Sequence, residues 1–304
     1  MTSWTGSDKP IGKIGVVGAG TMGKCIILKL LEQGRSVMVF DNYPQALQWA
    51  KENKAETAAS PFELAKDCPI IIMSLPGPAQ IESVLFGPEG MFEALGQDSV
   101  VIDTSTVDPA TSRSNSRRLG EKSAAYLDCP VLGRPSAAGK WLLPTGGDAA
   151  VLDYVRPVLS AFAREAVHAG DSGAGNTLKL LNQMMFSAIN AISCEVMAIA
   201  EHAGLDRKLF YETVADSGAA TVSGLFKEVG KNIVNRDFNN PTFTVDLLIK
   251  DTKLALEMAR DADAPSLIAA AVQNCNQLAH AAGIGNQDTS ALVQIFEKLY
   301  QKET

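Results

Sequence analysis

Gly18-Ala19-Gly20-Thr21-Met22-Gly23 is a GxGxxG hexapeptide set between a short β-branched run, residues 13–17, and an apolar-periodic segment, residues 21–33. In that setting each glycine has a task. Gly18 permits a tight turn, Gly20 lets backbone approach a pyrophosphate, and Gly23 allows a helix to pack closely on its strand. The helix start at Thr21 and Met22 adds free N–H groups and the positive end of the helix dipole. The same letters nearly make a P-loop through Lys24, but Cys25 stands where a Ser or Thr must hold magnesium. Asp41 decides between the two. It closes the next apolar run, residues 36–40, twenty-one positions after Gly20. A carboxylate there accepts hydrogen bonds from ribose hydroxyls and repels a 2′-phosphate. The pattern therefore predicts a dinucleotide site, with NAD favoured over NADP.

A second group surrounds Lys179. It lies in a mostly apolar segment, residues 177–203, and Asn182 and Gln183 follow three and four positions on, sharing its helix face. A lysine between Leu178 and Leu180 is costly to bury unless its amine reaches a polar cleft. Burial would lower its pKa toward neutrality, which suits general acid–base work. The position also suits a lysine that snorkels from a domain edge, and spacing alone leaves both readings open. Lys250-Asp251 is likewise either a site pair or an exposed charged pair on an amphipathic helix. His168, His202 and His280 show no close ligand spacing, so no metal is implied. No GxSxG elbow is present. Cys129 has no neighbouring His or Lys to activate it and reads as packing.

The elements that must carry these residues alternate in the first half. Strand-like runs at 13–17, 36–40, 69–75, 99–103 and 124–131 are separated by helical segments, which means βαβ units and a parallel sheet. After about Gly170 the strand-like runs stop. Helical segments follow at 177–203, 207–216, 225–232, 244–262, 266–282 and from 289. Gly204, Gly218, Gly230 and Gly283 read as helix stops. The expected fold is α/β, a Rossmann-type doubly wound parallel sheet (residues 1–170), plus an all-α C-terminal domain (residues 171–304).

Length and composition agree. The 304 residues predict two domains. With 27 basic against 34 acidic residues and a net charge of −7, a surface for nucleic-acid phosphates is not expected. A small anion held by a few local cations remains compatible with that balance. Five scattered cysteines without a CxxC pair point to a reducing, cytoplasmic compartment. Residues 1–13 lack the apolar and basic patterns of a leader. No uncharged apolar run reaches about 18 residues, so no membrane span is expected.

Together these positions resemble the β-hydroxyacid dehydrogenase family, which includes 3-hydroxyisobutyrate dehydrogenase and tartronate semialdehyde reductase, over residues 14–297. The cofactor loop is matched by Gly18 to Gly23. Further family segments are matched by Leu75-Pro76-Gly77-Pro78-Ala79-Gln80, Val84-Leu85-Phe86-Gly87-Pro88-Glu89-Gly90 and Asp103-Thr104-Ser105-Thr106. The catalytic GxGxxxKxxN motif is Gly173-Ala174-Gly175-Asn176-Thr177-Leu178-Lys179-Leu180-Leu181-Asn182. The substrate-side pair is Lys250-Asp251, and a C-terminal signature is matched by Gly283 to Ala291. The resemblance implies hydride transfer between an alcohol carbon and nicotinamide, with Lys179 as general acid/base. It implies cofactor contacts at Leu75, Pro76, Gln80 and Thr106, and substrate orientation by Asn182 with Gln183. Lys250 would reach substrate or cofactor across a domain cleft. Assembly as a homodimer or homotetramer through the helical half is implied as well.

One loop departs from the pattern. The family reads Asp-x-Pro-Val-Ser-Gly-Gly, and this chain reads Asp128-Cys129-Pro130-Val131-Leu132-Gly133-Arg134-Pro135-Ser136. A hydroxyl donor is gone at Leu132 and a guanidinium stands at Arg134, whose planar fork suits carboxylate, sulfonate or phosphate. Sulfolactaldehyde reductases of the family also carry Gly-Arg followed closely by Ser, as Gly133, Arg134 and Ser136 do here. The substrate expected is a small anionic β-hydroxy acid or its semialdehyde. Two other readings are an imine reductase, which usually replaces the lysine by Asp or Tyr, and a non-catalytic dinucleotide scaffold, which should lose it.

Overall fold

The structure, a computed structural model, describes residues 11–97, 99–218 and 223–300; residues 1–10, central to the expectation of no leader, lie outside them. The chain divides into two compact units, Met1–Lys179 and Leu180–Thr304.

The first unit is built on a sheet of eight strands among the described residues: β1 (Ile14–Val17), β2 (Val37–Phe40), β3 (Glu56–Thr57), β4 (Ile70–Met73), β5 (Val100–Asp103), β6 (Ala125–Asp128), β7 (Trp141–Gly146) and β8 (Ala163–Gly170). Their order is β3-β2-β1-β4-β5-β6-β7-β8. The central strands β1, β4 and β5 are buried along their whole length. That is why they read as unbroken apolar runs rather than alternating ones. Helices α1 (Thr21–Glu32), α2 (Pro44–Glu52), α3 (Pro61–Asp67), α4 (Pro78–Phe86), α5 (Pro109–Gly120) and α6 (Ala149–Leu159) connect the strands. Proline at the first position pre-sets the start of α2 to α5, and Ser60 and Asp108 cap α3 and α5 through the amides of Glu63 and Thr111.

The expected α/β sheet is present, with three added strands and one antiparallel pairing as corrections. β3, β7 and β8 were not expected. β3 is only two residues long at the sheet edge, β7 contains Pro144, and β8 mixes Arg164, Glu165 and His168 with its apolar residues. Each of these features weakens the strand signal. Nor is the sheet wholly parallel, because β7 runs antiparallel to β6 and meets it only at Asp128 and Gly146.

Helix α7 (Ala174–His202) begins in the first unit and continues into the second. The second unit adds α8 (Arg207–Asp216), α9 (Gly224–Asn235), α10 (Val245–Asp261), α11 (Leu267–Ala281) and α12 (Val293–Tyr300). Its core gathers Cys194, Met197, Val229, Ile233, Val245, Leu292 and Phe296. A buried polar row runs down α7 at Gln183, Ser187, Asn190 and Ser193. Asn276 donates to the Ser187 hydroxyl at 2.9 Å, and Asn190 donates to the Thr289 carbonyl at 2.9 Å. Gly204, Gly218 and Gly283 adopt positive φ at or just beyond helix ends. Gly230 does not stop a helix. It lies inside α9 against the Tyr211 ring, and Arg236 at φ 55° ends that helix instead. α7 is long and apolar enough to cross a membrane, with an 18-residue stretch of mean hydropathy 1.3, but half of that stretch is buried inside the protein. The count of uncharged runs misses it because that stretch tolerates a charge.

Candidate active site

The strand order reverses between β1 and β4, and the crevice outside their carboxyl ends is where such sheets bind ligands. Gly18 leaves β1 at φ +96°, with its N–H on the Phe40 carbonyl at 2.9 Å. A Cβ there would press on the Ser74 carbonyl at the end of β4. Gly20 differs, since a Cβ on it would meet nothing within 4 Å. Its backbone faces open space, and it brings no side chain to cap the first turn of α1. The orphan N–H groups of that turn are left for an anion. Asp41 closes the cradle: Oδ2 accepts from Ala19 N at 2.7 Å and Oδ1 from Tyr43 N at 2.9 Å. Both oxygens keep further lone pairs for ribose hydroxyls. These residues fit a dinucleotide. Met22 packs against the core, so its backbone rather than its side chain faces the cradle.

The neighbouring loops are tied to one another. Ser74 N donates to the Val17 carbonyl at 2.9 Å, and Leu75 N donates to the Ser105 hydroxyl at 2.9 Å. Ser105 N in turn donates to Asp103 Oδ1 at 2.9 Å, and the Tyr126 hydroxyl donates to Asp103 Oδ2 at 2.8 Å. Asp103 is wholly buried. Burial pushes its carboxyl up to about 6, against the opposing pull of Ser105 and Tyr126. Pro76 and Gln80 are exposed beside this network and Thr106 is half-buried.

Asp128, at the end of β6, is also wholly buried and pairs in register with Asp103. Its Oδ1 accepts from Gly173 N at 2.7 Å and its Oδ2 from Asn176 N at 2.9 Å. Burial raises its pKa and those amides oppose the rise. One turn further along α7, the half-buried Lys179 donates from Nζ to the Val131 carbonyl at 2.9 Å. The loop after Val131 is pinned by Leu132 N on the Leu142 carbonyl at 2.9 Å and by Trp141 Nε1 on the Arg134 carbonyl at 2.7 Å. Gly133, at φ +153°, lies so close to the Trp141 ring that a Cβ would not fit. Arg134 is half-buried and Ser136 exposed. Cys129 is buried 3.2 Å from the Thr145 hydroxyl, and burial pushes its thiol up to about 12. Burial without a nearby cation disfavours its thiolate.

In the second unit Asn182 is exposed, with Nδ2 3.3 Å from Gln183 Oε1. Gln183 is buried and donates to Asp251 Oδ2 at 2.6 Å. Lys250 Nζ lies 2.9 Å from Asp251 Oδ1, an ion pair rather than an aligned hydrogen bond. The C-terminal signature is architectural: buried Asp288 accepts from Ser290 N at 3.0 Å, Ser290 Oγ at 2.6 Å and Asn232 at 3.2 Å. Among the described residues no group of three His, Cys, Asp or Glu side chains could hold a metal ion. Sequence reasoning gave no individual site role to Asp103, Asp128 or Asn176. The available signal was an acid closing each of two apolar strands, β5 and β6.

An open sheet with this glycine cradle and Asp41 at its switch point defines a dinucleotide-binding protein. Residues 13–170 match the NAD-binding domain of 6-phosphogluconate dehydrogenase, and residues 173–296 match the domain described as NAD-binding of NADP-dependent 3-hydroxyisobutyrate dehydrogenase. The chain is 35% identical to the 3-sulfolactaldehyde reductase of Escherichia coli, over 92% of this chain and 94% of the relative. It is 32% identical to an L-threonate dehydrogenase of Cupriavidus necator, over 93% and 95%. A solved 3-hydroxyisobutyrate dehydrogenase from Salmonella typhimurium is similar with a TM-score of 0.86 and 30% identity, over 93% of this chain and 99% of that one. The chain belongs to the family of NAD(P)-dependent hydroxyacid dehydrogenases that contains 3-hydroxyisobutyrate dehydrogenase.

Proposed function

We propose that the protein is an NAD-dependent dehydrogenase or reductase of a short anionic β-hydroxy acid or its semialdehyde, with Lys179 as general acid/base. The observation that carries this reading is the Lys179 amine, held 2.9 Å from the Val131 carbonyl at the head of the substrate loop. The bound nicotinamide supplies the hydride acceptor or donor. The chain's residues manage the proton and the charge. In oxidation Lys179 takes the substrate hydroxyl proton, and in reduction it returns one to the forming alkoxide. The Val131 carbonyl engages one N–H and aims the nitrogen. Asn182 orients the substrate, with the buried Gln183 steadying it from behind. The Arg134 guanidinium, with Ser136 and the Gly133 backbone, holds the substrate anion. Lys250 is a further cation for substrate or cofactor. The cofactor contacts are Gly18, Gly20, Thr21, Met22, Gly23, Asp41, Leu75, Pro76, Gln80 and Thr106. A relative named 3-sulfolactaldehyde reductase supports testing sulfonates beside carboxylates.

The test follows NADH absorbance across carboxylate, sulfonate and phosphonate hydroxy acids and aldehydes, with both cofactors. Turnover by the wild type and its loss in Lys179→Ala are expected. Activity surviving Lys179→Ala would refute the mechanism, and comparable kcat/KM with NADP would refute the reading of Asp41.

Self-association is part of the same proposal. Leu181, Met185, Ile192 and Ile199 form an exposed apolar stripe on α7 at spacings of four and seven. Such a stripe suits a helix seam between copies. Sedimentation is expected to give a dimer or tetramer, and a monomer at micromolar concentration would overturn it.

A further inference from the structure

We infer that Asp128 is a positioning residue for Lys179, and this rests on the reading of Lys179 as the acid/base. Asp128 ends β6, and both its carboxylate oxygens are used where the lysine's helix begins: by Gly173 N, just before the helix, at 2.7 Å and by Asn176 N, in its first turn, at 2.9 Å. An α-helix leaves its first N–H groups without partners of its own. Here the acceptor comes from a strand 45 and 48 positions earlier in the chain rather than from a residue at the helix start. Three residues beyond Asp128, the Val131 carbonyl takes the Lys179 amine. The short segment from Asp128 to Val131 therefore grips the helix twice, once at its backbone and once at the tip of its lysine.

Asn176 sets the rotation of the same turn. Its Oδ1 accepts from Val107 N at 3.1 Å and its Nδ2 donates to Ser112 Oγ at 3.1 Å. A shift or twist of this turn is carried directly to Nζ. An acid/base group displaced by about 1 Å loses on the order of a hundredfold in rate. Burying a carboxylate is costly, and a packing role alone would be met by an apolar side chain of the same size. The carboxylate is suited to the task because it accepts at two oxygens at once. An amide accepts at one and turns an N–H toward a backbone N–H at the other.

The test is Asp128→Asn in the full chain. Expected are a fall in kcat of about 30- to 100-fold, an unchanged KM, and an unchanged Kd for NADH by fluorescence. Combined with Lys179→Ala, the change is expected to cause no further loss beyond Lys179→Ala alone, because a residue acting through the lysine has nothing left to position. A general loss of fold would instead lower activity in both backgrounds. Wild-type kcat in Asp128→Asn, or losses that multiply, would overturn the inference while leaving an inactive Lys179→Ala to uphold the acid/base assignment. Full activity in Lys179→Ala would overturn both. Should Asp128→Asn fail to bind NADH, Asn176→Ala removes the other tie on that turn and is judged by the same readings.

Discussion

The loops after β1 and β6 each carry a glycine at positive φ, Gly18 and Gly133, yet they use it differently. Gly18 shapes a cradle made almost wholly of backbone, where N–H groups and a helix end meet an anion. Gly133 threads the backbone past Trp141, whose Nε1–H is held by the carbonyl of the next residue, Arg134. A backbone cradle is satisfied by few sequences and reads as a motif. A side-chain loop tolerates replacement, and here Leu132 and Arg134 stand where the family pattern has Ser and Gly. The first loop fits a class of cofactor, and the second carries the substrate role in the function proposed above.

The comparison breaks most sharply at the lysine that sits over the second loop. Lys179→Ala is expected to lower kcat by about 10²- to 10⁴-fold while the Kd for NADH stays at the wild-type value. A parallel loss of NADH binding would mean that the two loops are not separable. Within the first loop two glycines should part company. Gly18→Ala combines a positive φ with a collision against the Ser74 carbonyl, so thermal melting should show a loss of about 1–3 kcal/mol together with weakened NADH binding. Gly20→Ala has room for its methyl and should leave the melting temperature alone while raising the Kd for NADH. Equal melting temperatures for the two variants would contradict the backbone account.

In the second loop, Arg134→Ala should raise KM for an anionic substrate by about 10- to 100-fold, the size of a charge-assisted hydrogen bond of roughly 1.5–3 kcal/mol, with NADH binding untouched. An unchanged KM would remove Arg134 from the substrate site. The smallest expected effect concerns Asp103. Its folded-state pKa of about 6 lies above that of an ordinary carboxyl, so the folded chain binds the proton more tightly than the unfolded one. Its contribution to stability is therefore greatest near pH 4 and declines as pH rises to about 6. Melting measured from pH 4.5 to 7 should fall less steeply in Asp103→Asn than in the wild type. An identical slope would show that the group titrates normally.

Legibility followed locality. The apolar runs that became β1, β4 and β5 were plain because parallel strands are buried on both faces. The glycine loop was plain because its turn, its close approach and its helix start lie within six consecutive residues. Strands β7 and β8 were obscured by Pro144 and by the charges of Arg164 and Glu165. Gly230 misled because a glycine in a helix usually marks an end, and only the Tyr211 ring against it explains its place. Gln183 shares the helix face of Lys179 by spacing, but its amide is taken by Asp251, 68 positions away.

The sequence by itself determined the alternation of strand and helix, the dinucleotide cradle and the lysine, because each is written in neighbouring residues and fixed by backbone geometry. Tertiary structure decided the rest. It buried Asp103 and Asp128 side by side at the strand ends, and it gave Asp128 the first turn of the lysine's helix to hold. It also gave the Lys179 amine a carbonyl to point at. Burial and hydrogen-bond partners are set by residues distant in the chain, and no local pattern records them.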